Sequence, residues 1–223
     1  MMEDVGVAGA RNKIKLIDFE RFERFLPARA FKKNKNMAKV EILAPWLLSW
    51  EGGYNKVKGD KGGATNKGVT LATWRKYGYD KNEDKVINER DVMLITEFDA
   101  IYVVLKPVYW DKWKADDIRS QAIANLVVDW YWNSGVYGIK LPQKVLGVKM
   151  DGMVGPKTIA ALNGYKDQQE LFRRLWQERK AYFERLAQNP TQRKFLAGWL
   201  NRLNGIGWDR LVMNNKKHEV VTW

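Results

Sequence analysis

Ser49-Trp50-Glu51-Gly52-Gly53-Tyr54, followed after a short polar interval by Gly59-Asp60-Lys61-Gly62-Gly63-Ala64-Thr65-Asn66-Lys67-Gly68-Val69-Thr70, joins two segments of clear helical character. Upstream, Ile42, Leu43, Trp46, Leu47 and Trp50 recur at three- and four-residue spacing. That pattern marks one buried face of a helix ending at Gly52-Gly53. Downstream, Thr70 is placed to N-cap a helix running through Trp74 to Tyr77, where Gly78 stops it. Between Gly52 and Gly68 the glycine-rich, polar chain reads as a loop or a short irregular hairpin.

Glu51 sits where the apolar helix face runs out, beside Trp50. A carboxyl half-buried against an indole has its charged form disfavoured, which moves it toward the range of a general acid. The flanking glycines carry no side chains and let a polymer approach. Asp60, in the polar loop, is expected to stay ionised. Two carboxylates in contrasting surroundings are what glycoside hydrolysis uses: one protonates the leaving oxygen, the other stabilises the oxocarbenium-like state or directs water. The plainer alternative is that Glu51 caps backbone amides and Asp60 makes an Asx-turn, and spacing alone favours it. Tyr54 can stack and hydrogen-bond, and Asn66 and Asn133 carry amides of the kind that read N-acetyl and hydroxyl groups. A turn role is equally open for each, with Asn133 as a helix C-cap.

Further helices are expected over residues 89–102, 115–132, 158–162 and 168–187. In the last, Leu171, Phe172, Leu175, Trp176, Tyr182, Phe183 and Leu186 form one stripe, with Arg173, Arg174, Glu178 and Lys180 opposite. Such a stripe reads as core before it reads as a ligand platform. The fold class expected is mostly α, with a small β element in the 52–68 loop.

Composition narrows the chemistry. The 223 residues include no cysteine and a single histidine, His218. Disulfides, thiolate zinc sites, a cysteine nucleophile and a histidine triad are therefore excluded. No cofactor and no metal is expected. The net charge of +13, from 39 Lys+Arg against 26 Asp+Glu, suits a polyanionic partner: nucleic acid, an anionic membrane surface or a cell wall. Residues 1–36 hold 9 Lys+Arg and 5 Asp+Glu, leaving 30 − 21 = +9 on the remainder. Residues 1–37 are expected to be a basic N-terminal extension, disordered or foreign to the functional unit. No signal-peptide h-region follows Met1, and no run reaches the roughly 18 apolar residues of a membrane span. No nucleic-acid-binding motif is present, and nucleic acid is not expected as a partner.

The Glu51-Gly52-Gly53-Tyr54 element, Asp60 through Asn66, and Gly68-Val69-Thr70 resemble the signature of glycoside hydrolase family 108, N-acetylmuramidases found in phages and as bacterial "secretion activator" proteins. Tyr109-Trp110, Trp113, Asp129 and Asn133-Ser134-Gly135 resemble that family's middle helices. Asp151-Gly152, Gly155-Pro156, Thr158, Leu162, Lys194-Phe195, Gly198-Trp199 and Asn201-Arg202 resemble its C-terminal peptidoglycan-binding-type module. Glu51, Asp60 and Thr65 are also similar to the Glu–Asp–Thr arrangement of phage-type lysozymes, with one residue fewer before the threonine. Trp50 and Pro142 depart from the family pattern. The resemblance implies a lysozyme-like helical domain over 38–114, with the acidic site on its small β element, and a helical peptidoglycan-binding-type region over 115–223. It implies cleavage of the β-1,4 bond between N-acetylmuramic acid and N-acetylglucosamine by Glu51 as general acid. Alternatives are a lytic transglycosylase or a non-catalytic wall-binding or secretion-accessory protein. Peptidoglycan strands are the expected partner, reached at the cell wall through a holin-type hole or a dedicated export system.

Overall fold

Val40–Ser49 forms helix α1, whose buried residues Val40, Leu43, Ala44, Trp46 and Leu47 follow the spacing of one helical face. The indole N–H of Trp46 donates to the Val212 carbonyl at 2.8 Å, fixing α1 to the C-terminal end of the chain. At the other end, Lys39 N donates to Gln121 Oε1 at 2.7 Å. A side chain from a later helix thus replaces a local cap. The computed structural model describes residues 37–56 and 63–223. The extension expected over 1–37 falls, apart from Met37, outside the described residues.

The small β element is a hairpin. β1 (Thr65–Asn66) pairs antiparallel with β2 (Val69–Thr70), Thr65 opposite Thr70 and Asn66 opposite Val69. Its two turn residues, Lys67 and Gly68, have φ of 49° and 76°, as a two-residue type I′ turn requires. Thr70 then caps α2 (Leu71–Tyr77), accepting from Thr73 N at 3.2 Å, and Gly78 N closes on Trp74 O.

Two expected helices are shorter or broken. The segment 89–102 divides into α3 (Glu89–Met93) and the start of a π-helix spanning Asp99–Trp110. The break is made by Asp99, whose Oδ2 accepts from Thr96 N at 2.8 Å and Thr96 Oγ1 at 2.6 Å. Side-chain bonds of this kind compete with the helical ladder. The segment 115–132 is a 3₁₀ turn (Ala115–Asp117) followed by α4 (Gln121–Ser134), capped by Ser120. Then come α5 (Tyr137–Val145), α6 (Pro156–Asn163), α7 (Gln168–Leu186), α8 (Pro190–Arg193), α9 (Leu196–Asn204) and a hairpin of β3 (Arg210–Val212) with β4 (Val220–Thr222). The fold is mostly helical, as expected.

The larger apolar core draws on α1, α4, α5, α7 and α9, and a smaller one lies under the hairpin around Ala64, Val69, Trp74, Val92 and Val104. Trp46, Trp74, Trp110, Trp113 and Trp130 are all fully buried. Much of the tryptophan content is therefore core, where each ring removes roughly 150–250 Å² from water.

Candidate active site

Glu51 follows directly on the end of α1, and its surroundings come from distant parts of the chain. Oε1 accepts from the Trp132 indole N–H at 2.9 Å and from Arg202 Nη1 at 2.9 Å. Oε2 has no hydrogen-bond partner among the described residues. Trp132, on α4, packs on Tyr109 with ring centroids 4.6 Å apart. Burial, then the neighbouring Tyr131, Tyr77 and Glu51, push the Tyr109 phenol above its ordinary pKa, so it stays a neutral O–H. Gly68 closes the site from the hairpin side. A Cβ there would stand 2.8 Å from Glu51 Cδ and 2.7 Å from the Trp132 ring. Gly52, whose carbonyl accepts from Lys67 N at 3.0 Å, and Gly53 are open: apart from chain neighbours, no described atom lies within 4 Å of where a Cβ on either would stand.

Behind Glu51 the ion pair continues inward. Arg202 Nε and Nη2 donate to Asp129 Oδ1 at 3.0 and 2.7 Å, and Arg179 Nη2 donates to Asp129 Oδ2 at 2.7 Å. The Asp129 and Arg179 side chains are wholly buried and Arg202 nearly so, while Glu51 keeps 17% of its side chain exposed. Two carboxylates and two guanidiniums are paired at 2.7–3.0 Å, and close pairing of this kind is what offsets the cost of taking such groups out of water. Burial by itself would raise the Asp129 pKa, but Arg202 and Arg179 outweigh it and hold the carboxyl below its usual range. For Arg202, burial opposes the charge, and Asp129 and Glu51 together raise its pKa above the ordinary value. Arg202 also lies over the Trp46 ring, 5.6 Å from its centroid.

The expected indole partner of Glu51 is corrected by this geometry. Trp50 turns toward Trp46, at 6.0 Å between centroids, and the indole on the carboxylate is that of Trp132. Successive residues at the end of α1 point in different directions, so adjacency in sequence does not give contact. Asp60 lies outside the described residues. Thr65 is half-buried in β1, its backbone bonded to Asn55 in both directions. Tyr54 is exposed beside the glycines. Asn66 is buried, and its amide donates to the carbonyls of Val92, Met93 and Ile95 at 2.9, 3.2 and 3.4 Å, joining the hairpin to the end of α3. Asn133 is not the C-cap, a position held by Gly135; it is exposed on α4 and donates to Asp129 O and Oδ1 at 3.3 and 3.4 Å.

Trp132, Asp129, Arg179 and Arg202 were not expected around the glutamate. Arg179 does carry a sequence signal: it lies four residues after Leu175 and four before Phe183, on the apolar stripe of α7. A charge in that place calls for a buried counter-charge. A cavity of about 600 Å³ is lined by residues including Asp167, Glu170, Phe172, Trp176 and Trp208, and Glu51 is not among its lining residues.

A family model described as glycosyl hydrolase 108 matches residues 44–135, and one described as a predicted peptidoglycan domain matches 137–204. The structure of Brucella abortus SagA is similar to this chain, with 30% sequence identity, a TM-score of 0.60, and coverage of 75% of this chain and 90% of that one. The comparison with curated proteins gives no match. Glu51, Asp129 and Trp132 lie in the first matched segment, and Arg179 and Arg202 in the second.

Proposed function

The chain belongs to glycosyl hydrolase family 108, and from that premise we propose that it hydrolyses the β-1,4 bond between N-acetylmuramic acid and N-acetylglucosamine in peptidoglycan, with Glu51 as general acid. The observation that carries this reading is the asymmetry of the Glu51 carboxyl. Oε1 is engaged by two N–H donors, and Oε2 has none among the described residues. Both donors need an acceptor, so Oε2 is the oxygen left to face a glycosidic oxygen. The carboxyl adjoins Gly52 and Gly53, which carry no side chains and leave open space among the described residues apart from their chain neighbours Glu51 and Tyr54.

In this reading Arg202 and Trp132 orient the acid, and Oε2 protonates the glycosidic oxygen as the bond to the anomeric carbon breaks. Asp60 is proposed as the second carboxylate, stabilising the oxocarbenium-like state or directing water, with Thr65 assisting and Tyr54 contacting substrate. The match to a peptidoglycan domain and the excess of positive charge support an anionic wall polymer as partner. The proposed place of action is the cell wall, reached through a holin-type hole or a dedicated export system.

The test is turnover of purified peptidoglycan with mass analysis of the fragments. Wild type is expected to release reducing muramic ends. Glu51→Gln is expected to fold and to release none, while an anhydro-muramic product would assign a lytic transglycosylase instead. One observation favours a second reading, a non-catalytic wall-binding protein: the ion pair to Arg202 gives Glu51 a structural use of its own. No turnover by folded wild type, with retained binding to the polymer, would establish that reading.

A further inference from the structure

Residues 80–91 run Asp80-Lys81-Asn82-Glu83-Asp84-Lys85-Val86-Ile87-Asn88-Glu89-Arg90-Asp91. Side chains bearing oxygen fall at positions 1, 3, 5, 9 and 12 of this twelve-residue run, and position 7 is Val86, with its backbone carbonyl. That is the ligand spacing of an EF-hand calcium loop. Position 6 of such a loop turns sharply and is normally glycine. Here Lys85 takes that turn with φ of 69°.

The side chains face the loop interior. Lys85 N donates to Asp80 Oδ2 at 2.5 Å and Val86 N to Asp84 Oδ1 at 3.0 Å. Asp91, fully buried, accepts from Lys81 N and Asn88 N, each at 2.7 Å, drawing both ends of the loop onto its position-12 carboxylate. Asp80 is half-buried, and its Oδ1 is shielded from solvent with no hydrogen-bond partner among the described residues. A carboxylate oxygen shielded from water without a partner is unfavourable, and a cation would complete it. Of the loop's basic side chains, Lys81, Lys85 and Arg90, none is bonded to Asp80 Oδ1. Lys81 Nζ is turned away to Asp99 Oδ2 at 2.7 Å, and Arg90 reaches only to 4.0 Å from Asp84.

Among the described residues no three carboxylates converge on one point. The amides of Asn82 and Asn88 stand against Asp84 Oδ2 at 2.9 and 3.4 Å and present N–H groups to it. Turning each amide over would present an oxygen in place of that donor; cation ligation would then replace the two bonds to Asp84, the Asn88 Nδ2 bond to the Val86 carbonyl at 3.2 Å, and the bonds that Asn82 Oδ1 and Asn88 Oδ1 accept from Asp84 N at 3.3 Å and Arg90 N at 2.8 Å.

We propose that residues 80–91 bind one calcium ion through Asp80, Asn82, Asp84, the Val86 carbonyl, Asn88 and Asp91, contrary to the expectation of no metal. A donor set of this number and flexibility suits calcium over magnesium, which demands a tighter octahedron. Lys85 for glycine and Asp91 for the usual glutamate weaken the site, toward the ~10⁻⁴–10⁻³ M affinities of extracellular modules. The ion's role is structural. The loop leads into α3, whose end is bonded to Asn66 in the hairpin that sets Gly68 against Glu51.

The test uses the full chain, stripped with a chelator and titrated with calcium chloride alone, read by calorimetry and by thermal melting. One equivalent is expected to bind and to raise Tm, with magnesium chloride giving a clearly smaller shift. Asp80→Asn and Asp84→Asn are each expected to weaken binding at least tenfold, with an unchanged circular dichroism spectrum showing that they fold. Absence of both heat and Tm shift up to ~10 mM calcium, beyond the weak end of that range, would overturn the proposal. So would full binding by both variants, or an equal response to magnesium. None of these readouts depends on glycoside hydrolysis.

Discussion

Arg202 Nη1 donates to Glu51 Oε1 at 2.9 Å across 151 positions of sequence, while the same guanidinium holds Asp129 through Nε and Nη2. The proposed acid is thereby joined to a helix in the segment that matches a peptidoglycan domain. Orientation of the acid and folding of the C-terminal helices share one side chain.

Replacing Arg202 is expected to affect activity beyond what stability explains. Arg202→Lys keeps the charge but cannot serve two carboxylates with a planar fork. We expect kcat for peptidoglycan cleavage to fall by about 10–100-fold, in line with losses on disturbing the groups that support a reacting residue, with KM little changed. Steady-state kinetics on soluble glycan fragments, with the melting temperature measured in parallel, checks this. A fall in Tm with unchanged kcat would remove the orienting role.

Asp129→Asn leaves two buried guanidiniums facing a neutral amide. Stability at neutral pH is expected to drop by about 3–5 kcal/mol, as when one partner of a buried pair is removed. Denaturant unfolding measures it.

The same carboxylate predicts the response to acid. Its folded pKa is depressed, so its contribution is fully present above the unfolded value of about 3.9 and is lost as pH falls through the folded one. Wild-type stability should decline below about pH 4. Asp129→Asn should lack that part of the decline while starting from a lower plateau. Thermal melting from pH 7 down to pH 2.5 separates the two curves.

Gly68→Ala places a methyl within 2.8 Å of Glu51 Cδ at a φ of 76°. Left-handed backbone at a residue with a Cβ costs about 1–2 kcal/mol, and the contact adds displacement of the carboxyl itself. Activity is expected to fall by at least tenfold, with a fall in Tm of only a few degrees. Paired activity and melting measurements decide it.

Asn66→Ala tests whether this amide reads substrate or holds structure. Three carbonyls at the end of α3 lose their donor, so a loss of about 1–3 kcal/mol is expected. A rise in KM with unchanged stability would return Asn66 to the substrate-binding role its residue type suggested.

Local chemistry made much of this legible in the sequence. The α1 stripe, the Thr70 cap, the Gly78 stop, Pro156 at the first turn of α6 and the long face of α7 all lie within a few residues of the groups that enforce them. Where two local preferences compete, the reading blurred: Thr96 and Asp99 interrupt a helix that apolar spacing carries straight through. Helices α5, α8 and α9 went unread: α8 is a single turn, and α5 and α9 have no side-chain N-cap and no proline at the first turn to mark their starts, unlike the shorter α2 and α6.

Glu51 and the glycines around it were decided by sequence, because an acidic residue between an apolar helix and a glycine-rich loop is a local pattern. The groups that engage it were decided by tertiary structure. Trp132 and Arg202 are 81 and 151 positions from Glu51, Asp129 and Arg179 are linked to it only through Arg202, and apart from the place of Arg179 on the apolar stripe of α7 nothing local distinguishes them from surface charges and core aromatics. Burial supplies the reason for their pairing. A charge taken out of water must find its counter-charge, and only the packed fold determines which charges leave water together.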